Sequence, residues 1–283
     1  MTAVTTNAQL RQRSYKALEP TRGGLVLRWV WLSIAAVFSF FPFYAMVVLS
    51  LKPGAVVNFP QSLLPWGDLS LSAYEQVLSG QNILLWLFNT LVYALVSVVA
   101  VLFLSALAGY AFAKKRFAGK EVMFWSFLSM VMVPFHVTLI PTFLLIANLG
   151  GVNEYWGLIL PTLANAQAVF LMRQFIEGLP DELFEAARID GASELRIFLR
   201  IVLPLCKPVL ATLGIFVFLW PLIIAKSNEM FTLTVGISSL QQQNVPLSVM
   251  LAGSVVALLP IFMAYLIAQR YVQEGVTGSG IKG

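Results

Sequence analysis

Six long stretches of this chain run without a single Asp, Glu, Lys or Arg: 29–51, 76–113, 122–153, 155–172, 208–225 and 230–269. A helix needs about 20 apolar residues to cross roughly 30 Å of hydrocarbon. Four stretches exceed that length, while 155–172 and 208–225, at 18 residues each, sit near the lower limit. In lipid every backbone N–H and C=O must be satisfied within the protein, which leaves helices or closed barrels. The stretches are continuously apolar rather than alternating, so a barrel is disfavoured. The expectation is an all-α integral membrane protein of six transmembrane helices. Residues 1–28 form an N-terminal segment, 29–269 the membrane domain and 270–283 a tail.

Composition closes the soluble alternatives. Charged residues are 11% of the chain and the mean hydropathy is +0.82, whereas a soluble globule carries about a quarter charged residues. The first stretch does not read as a cleavable signal. It is too long, its basic leader runs 28 residues, and no small-x-small site precedes the next charge. The sole cysteine, Cys206, excludes an internal disulfide and carries no metal-ligand spacing.

The positive charge is one-sided. Arg11, Arg13, Lys16, Arg22 and Arg28 precede the first span; Lys114, Lys115, Arg116 and Lys120 join the second to the third. Arg173, Arg188, Arg196, Arg200 and Lys207 join the fourth to the fifth, and Arg270 and Lys282 lie in the tail. Only Lys52 and Lys226 fall on the other side. Basic loops favour the cytoplasm, which places both termini and the loop at 173–207 there. Topology thus accounts for a pI near 9.4 without nucleic acid.

That loop also holds six of the thirteen carboxylates, between Glu177 and Glu194. The stretch "FIEGLPDELFEAARIDGASELRIFLRIVLPLCKP" reads as two short helices and a turn. Pro180 suits a first helical position, and Asp181 and Glu182 complement the N-terminal dipole. Gly191 fits the left-handed residue that closes a helix. Ser193 can cap the next helix, with Leu195, Phe198, Leu199 and Val202 at helical spacing and Pro204 and Pro208 ending it. Glu185 and Asp190 offer carboxylates beside the small residues Ala186, Ala187, Gly191 and Ala192. Two readings fit that pattern: a docking surface for a basic partner, or an amphipathic loop lying on lipid headgroups.

Glu185-Ala186-Ala187, Gly191, Ile201, Leu203 and Pro204 match the spacing E-A-A, three residues, G, nine residues, I-x-L-P. This resembles the signature loop of the membrane subunits of binding-protein-dependent ABC importers. The fuller "EAARIDGAS…F…IVLP…P" is similar to the maltose-type second permease of the carbohydrate-uptake branch. Further matches are "NTLVYAL" (89–95), "GYAFAKKRFAGK" (109–120), "VTLIPTFLL" (137–145), "NEYWGLILP" (153–161), "LMRQFIEGLPDEL" (171–183) and "GVTGSGIKG" (275–283). The resemblance implies that the loop is a coupling helix seated in a cleft of an ATPase subunit. Glu185 would pair with a basic residue there, Gly191 would make the bend, and 275–283 would reach towards the ATPase dimer. It implies as partners a second permease, two ATPases and an extracytoplasmic solute-binding protein, with a sugar as cargo. One departure stands out: "GIFVFLWPLIIAKSNE" lacks about seven residues, two helical turns, of the branch's "W-N-D-F-L-W-P-L" run, so its Asn and Asp cannot be carried over.

The chain carries no energy source of its own. A Walker A loop needs G-x-x-x-x-G-K-[ST], and Gly119-Lys120 has Lys114 where the first glycine belongs. No carboxylate falls within the six stretches, which disfavours a self-sufficient ion-driven transporter. One histidine, no H-E-x-x-H and no G-x-S-x-G disfavour an enzyme, and no cofactor is expected. Asn89, Thr90, His136, Thr138, Asn148, Asn165 and Gln167 are polar residues within spans and candidates for a pathway. His136, between Pro134 and Pro141, either lines a broken third span or bonds a local carbonyl. Asn165 and Gln167 equally suit interhelical hydrogen bonds. Trp29, Trp31, Trp66, Trp86, Trp156 and Trp220 read as an interfacial belt, and Gly109 with Ala113 as a close-packing pair. The absence of buried Lys or Arg favours a neutral polyhydroxylated solute over a phosphate ester; a glycerol-phosphate-type solute is the alternative within the same architecture.

Overall fold

The computed structural model describes residues 22–52, 60–80, 82–219, 230–242 and 245–278, and helices are the only regular structure among them. In chain order they are α1 (Arg22–Ser50), α2 (Ser72–Gly80), α3 (Ile83–Lys114), α4 (Lys120–Ser129), α5 (Phe135–Asn148) and α6 (Tyr155–Ile159). There follow α7 (Ala166–Glu177), α8 (Glu182–Ile189), α9 (Glu194–Leu205), α10 (Lys207–Leu219), α11 (Leu233–Gln242) and α12 (Leu247–Gly278). Among the described residues, three helices are by themselves long and apolar enough to cross a membrane, or up to six spans if each bent pair counts as one.

The spine is α3, 32 residues with no proline. It packs on α7, α10 and α11, while α12 packs on α10, α1 and α2. The apolar side chains form two cores. Val101, Ala106, Tyr110, Met172, Ile176, Phe184, Ile197, Phe198, Val202 and Cys206 gather around the basic end of α3. Ala73, Val77, Ile83, Trp86, Leu233, Leu240, Val249 and Ala252 gather around its other end.

Several expected spans are broken, and two of the breaks have a local cause. The run 76–113 divides into α2 and α3. The third bends by 105° between Lys120–Met132 and Val137–Asn148, where Pro134 has extended backbone and supplies no N–H. The fourth bends by 46° between Tyr155–Thr162 and Ala166–Glu177; Asn165 starts the second half by accepting a 2.9 Å bond from the Ala168 amide. The helix then continues to Glu177, past the expected end at 172. The run 230–269 is α11 followed by α12. The fifth-span departure after Leu219 lies outside the described residues.

Two glycines explain close approaches. A Cβ on Gly109 would stand 2.7 Å from the Met172 Cβ and 2.9 Å from the Arg173 backbone nitrogen, so α3 meets α7 only with glycine there. A Cβ on Gly236 would overlap the ring of Trp86. That tryptophan is 1% exposed, a core residue rather than part of an interfacial belt.

Candidate functional site

The acidic island folds as a hairpin of α8 and α9. Gly191 has φ +75°, and its amide donates to Arg188 (3.0 Å) while that of Ala192 donates to Ala187 (2.9 Å). This paired capping closes α8 with a left-handed residue, as a glycine there requires. Nothing lies within 4 Å of where its Cβ would be, so the dihedral rather than crowding demands glycine.

The second arm departs from expectation. Ser193 stands at the N-cap with extended backbone, but its side chain caps nothing. A π turn at Phe198–Val202 interrupts α9, and a π turn shifts the helical register. Ile197, Phe198 and Val202 are therefore buried, while Leu195 and Leu199 face outward. The helix also runs on through Pro204, and the 77° bend comes where α9 meets α10.

The inner face of the hairpin is bolted to α3. The Lys114 ammonium donates to the Leu179 carbonyl (2.7 Å), the Glu177 carbonyl (3.4 Å) and the Asp181 carboxylate (2.6 Å). It also lies 5.1 Å from the Phe184 ring centroid. Lys115, one residue later, pairs with Glu194. Glu194 in turn accepts from the Tyr110 hydroxyl (2.8 Å) and from Arg188 (3.4 Å). Tyr110 stacks on Phe184 with centroids 6.0 Å apart. The Lys114 hydrogen bond holds the Asp181 carboxyl below its ordinary value, and the Lys115 hydrogen bond does so for Glu194 against the opposing pull of desolvation. Arg173 completes the framework: it bonds Glu121 (3.1 Å) and covers the Phe124 ring at 3.9 Å, joining α7 to α4.

The outer face is bare. Glu185, Ala186, Asp190 and Gly191 are exposed and Ala187 is half-buried. Ile189 is 86% exposed and Leu195 62%. Ile201 and Leu203 are half-buried and Pro204 is exposed. The pathway candidates differ in their surroundings. Asn89 is buried, donating to the Phe231 carbonyl (3.2 Å) and accepting from the Tyr155 hydroxyl (2.6 Å). Thr90 accepts from the Leu233 amide at 2.7 Å. Asn148 and Gln167 are exposed. His136 lies in the first turn of α5, its side chain outside the described residues, as is the segment 279–283 of the tail.

The anchoring set of Lys114, Lys115, Tyr110, Asp181 and Glu194 was not legible as a site. Its signal was two consecutive lysines closing a long apolar helix, which topology alone had seemed to explain.

A family model described as "Binding-protein-dependent transport system inner membrane component" matches residues 101–278. The arabinooligosaccharides transport system permease protein AraQ of Bacillus subtilis is 36% identical over 274 residues, covering 93% of this chain and 96% of that protein. The sn-glycerol-3-phosphate transport system permease protein UgpE of Yersinia enterocolitica is 36% identical over 280 residues, covering 93% and 99%. Among solved structures, a bacterial ABC transporter involved in the import of the acidic polysaccharide alginate matches with a TM-score of 0.78 and 26% identity, covering 89% of this chain and 98% of that chain.

Proposed function

The chain belongs to the binding-protein-dependent transport system inner membrane component family, and from that premise we propose that it forms half of the translocation pathway for a sugar or oligosaccharide. It is a membrane permease subunit of an ABC importer, a transport subunit rather than an enzyme. It works with a second permease, two ATPase subunits and an extracytoplasmic solute-binding protein. Both termini and the hairpin face the cytoplasm, as the one-sided basic charge supports.

The observation that carries this reading is the two-faced hairpin. Its inner side is pinned to α3, while Glu185, Ala186, Ile189 and Asp190 stand outward. An outward face that combines carboxylates, small residues and a bare isoleucine suits a cleft in a basic partner better than open water. ATP-driven closure of the ATPases would press on this face and tilt the spans between inward- and outward-open states.

The cargo follows from charge. Of the Lys and Arg in ion pairs, the two least exposed, Lys114 and Arg173, are engaged with carboxylates. Little is left within the spans to hold a phosphate, which favours a neutral sugar over glycerol phosphate.

Glu185→Lys should leave membrane insertion intact and remove the ATPases from the purified complex. Retention of both ATPases and of uptake in that variant would retire the docking role. Calorimetry of the co-purified solute-binding protein with arabinooligosaccharides and with sn-glycerol-3-phosphate decides the cargo; heat only with the phosphate ester would overturn the sugar assignment.

A further inference from the structure

We propose that α3 is the rod that carries hairpin motion to the far face of the membrane, and that Lys114 and Lys115 are the positioning residues that fasten the hairpin to it. The proposal rests on the reading above, in which a partner moves the hairpin.

The two covalent routes out of the hairpin are poor conductors of force. Towards α7 the chain passes through the non-helical turn Gly178-Leu179-Pro180, exposed at Gly178 and Pro180. Towards α10 it passes through the π turn at Phe198–Val202 and the 77° bend after Leu205. Breaks in the helical ladder are where helices flex.

The route through α3 has neither weakness. Its 32 residues hold no proline and span about 48 Å at 1.5 Å per residue. The other two helices long enough to span alone, α1 and α12, contain Pro42 and Pro260. Lys114 is the last residue of α3 and Lys115 the extended residue that caps it, and the two lysines reach different arms. Lys114 grips the start of α8 through Asp181 and the Leu179 carbonyl, and Lys115 grips the start of α9 through Glu194. Arg188 ties the arms together at Glu194. The hairpin therefore turns with α3 as one body.

At its other end α3 holds the parts that would have to move. Asn89 bonds Phe231 and Tyr155, Thr90 bonds Leu233, and Trp86 lies against Gly236 of α11. A tilt imposed at Lys114 thus arrives at α6 and α11 without crossing a kink.

The test uses the assembled importer, purified with its ATPases, carrying nitroxide labels in pairs against a reference at Phe38 on α1. One label replaces Arg196 on α9 of the hairpin and the other Ser238 on α11, both exposed positions. ATP should shift both distances in the otherwise unsubstituted chain. In Lys114→Met/Lys115→Met the hairpin label should still shift, ATP hydrolysis should persist, and the α11 shift should be lost. Lys114→Arg/Lys115→Arg, which keeps both charges, should restore it. An α11 label that follows ATP normally in the Met pair overturns the proposal. So does loss of the ATPases from that variant, because the lysines would then serve docking rather than transmission. If the double variant does not accumulate, Lys115→Met alone is judged by the same distances. A complex in which ATP moves neither label before any lysine is changed overturns the importer reading itself, and the transmission with it.

Discussion

The two ends of α3 hold their neighbours by opposite means. At Lys114 and Lys115 the grip is ionic: ammonium to carboxylate, with Phe184 and Tyr110 packed beneath. At Trp86, Asn89 and Thr90 it is neutral: an amide, a hydroxyl and a ring against Gly236. An ion pair beside water costs little to form, whereas a charge within hydrocarbon is expensive. Neutral side-chain bonds and close backbone approach through glycine are what membrane-embedded helices use instead. One helix is thus clamped by charge at one end and by neutral bonds and shape at the other.

The contrast can be broken from either end. Phe184→Ala should have the largest effect, because this ring is 2% exposed in the hairpin core; a loss of about 3–5 kcal/mol is typical of such a truncation. Denaturant unfolding of the purified chain measures it. Gly236→Val, which drives a side chain into the Trp86 ring, should cost about 1–3 kcal/mol and appear as a lower thermal midpoint in detergent, with the hairpin still resistant to protease. Thr90→Val should cost least among the substitutions, about 0.6 kcal/mol, read as faster amide exchange at Leu233.

Acidification sharpens the comparison most gently. The folded-state pKa values of Asp181 and Glu194 are lowered, so their contribution is full above the ordinary carboxylate range and is lost as pH falls through the folded values. Proteolysis of the hairpin should therefore accelerate only below about pH 4. Cleavage near Leu233 should not change with it, since the bonds of Asn89 to Phe231 and Tyr155 and of Thr90 to Leu233 involve no carboxylate.

The all-helical class and the hairpin were legible because their causes are local. Charge-free runs specify spans, and a glycine after a short amphipathic run specifies a left-handed cap, which Gly191 adopts at φ +75°. What was missed depends on distance along the chain. Lys114 and Asp181 are 67 residues apart, and no periodicity joins them. Leu195, Phe198, Leu199 and Val202 were grouped by a repeat that assumes a regular helix; the π turn at Phe198–Val202 breaks it, and Leu195 and Leu199 turn outward. Trp86 was read as a membrane-surface anchor because its burial depends on Gly236, far away in sequence. Pro134 and Pro141 did signal the broken third span, whereas the break at Asn165 left the run 155–172 unchanged in hydropathy, so composition could not reveal it.

The long apolar helix α1 is the least committed part of the molecule. Only Val48 and Ser50, in its last turn, are buried, while Trp29, Trp31, Phe38 and Phe40 stand clear of both cores. Its first five turns therefore escape the selection that packing imposes. Drift along them is filtered by whatever lies alongside, lipid tails or another chain, and the pattern of tolerated change there should record the neighbour rather than the fold.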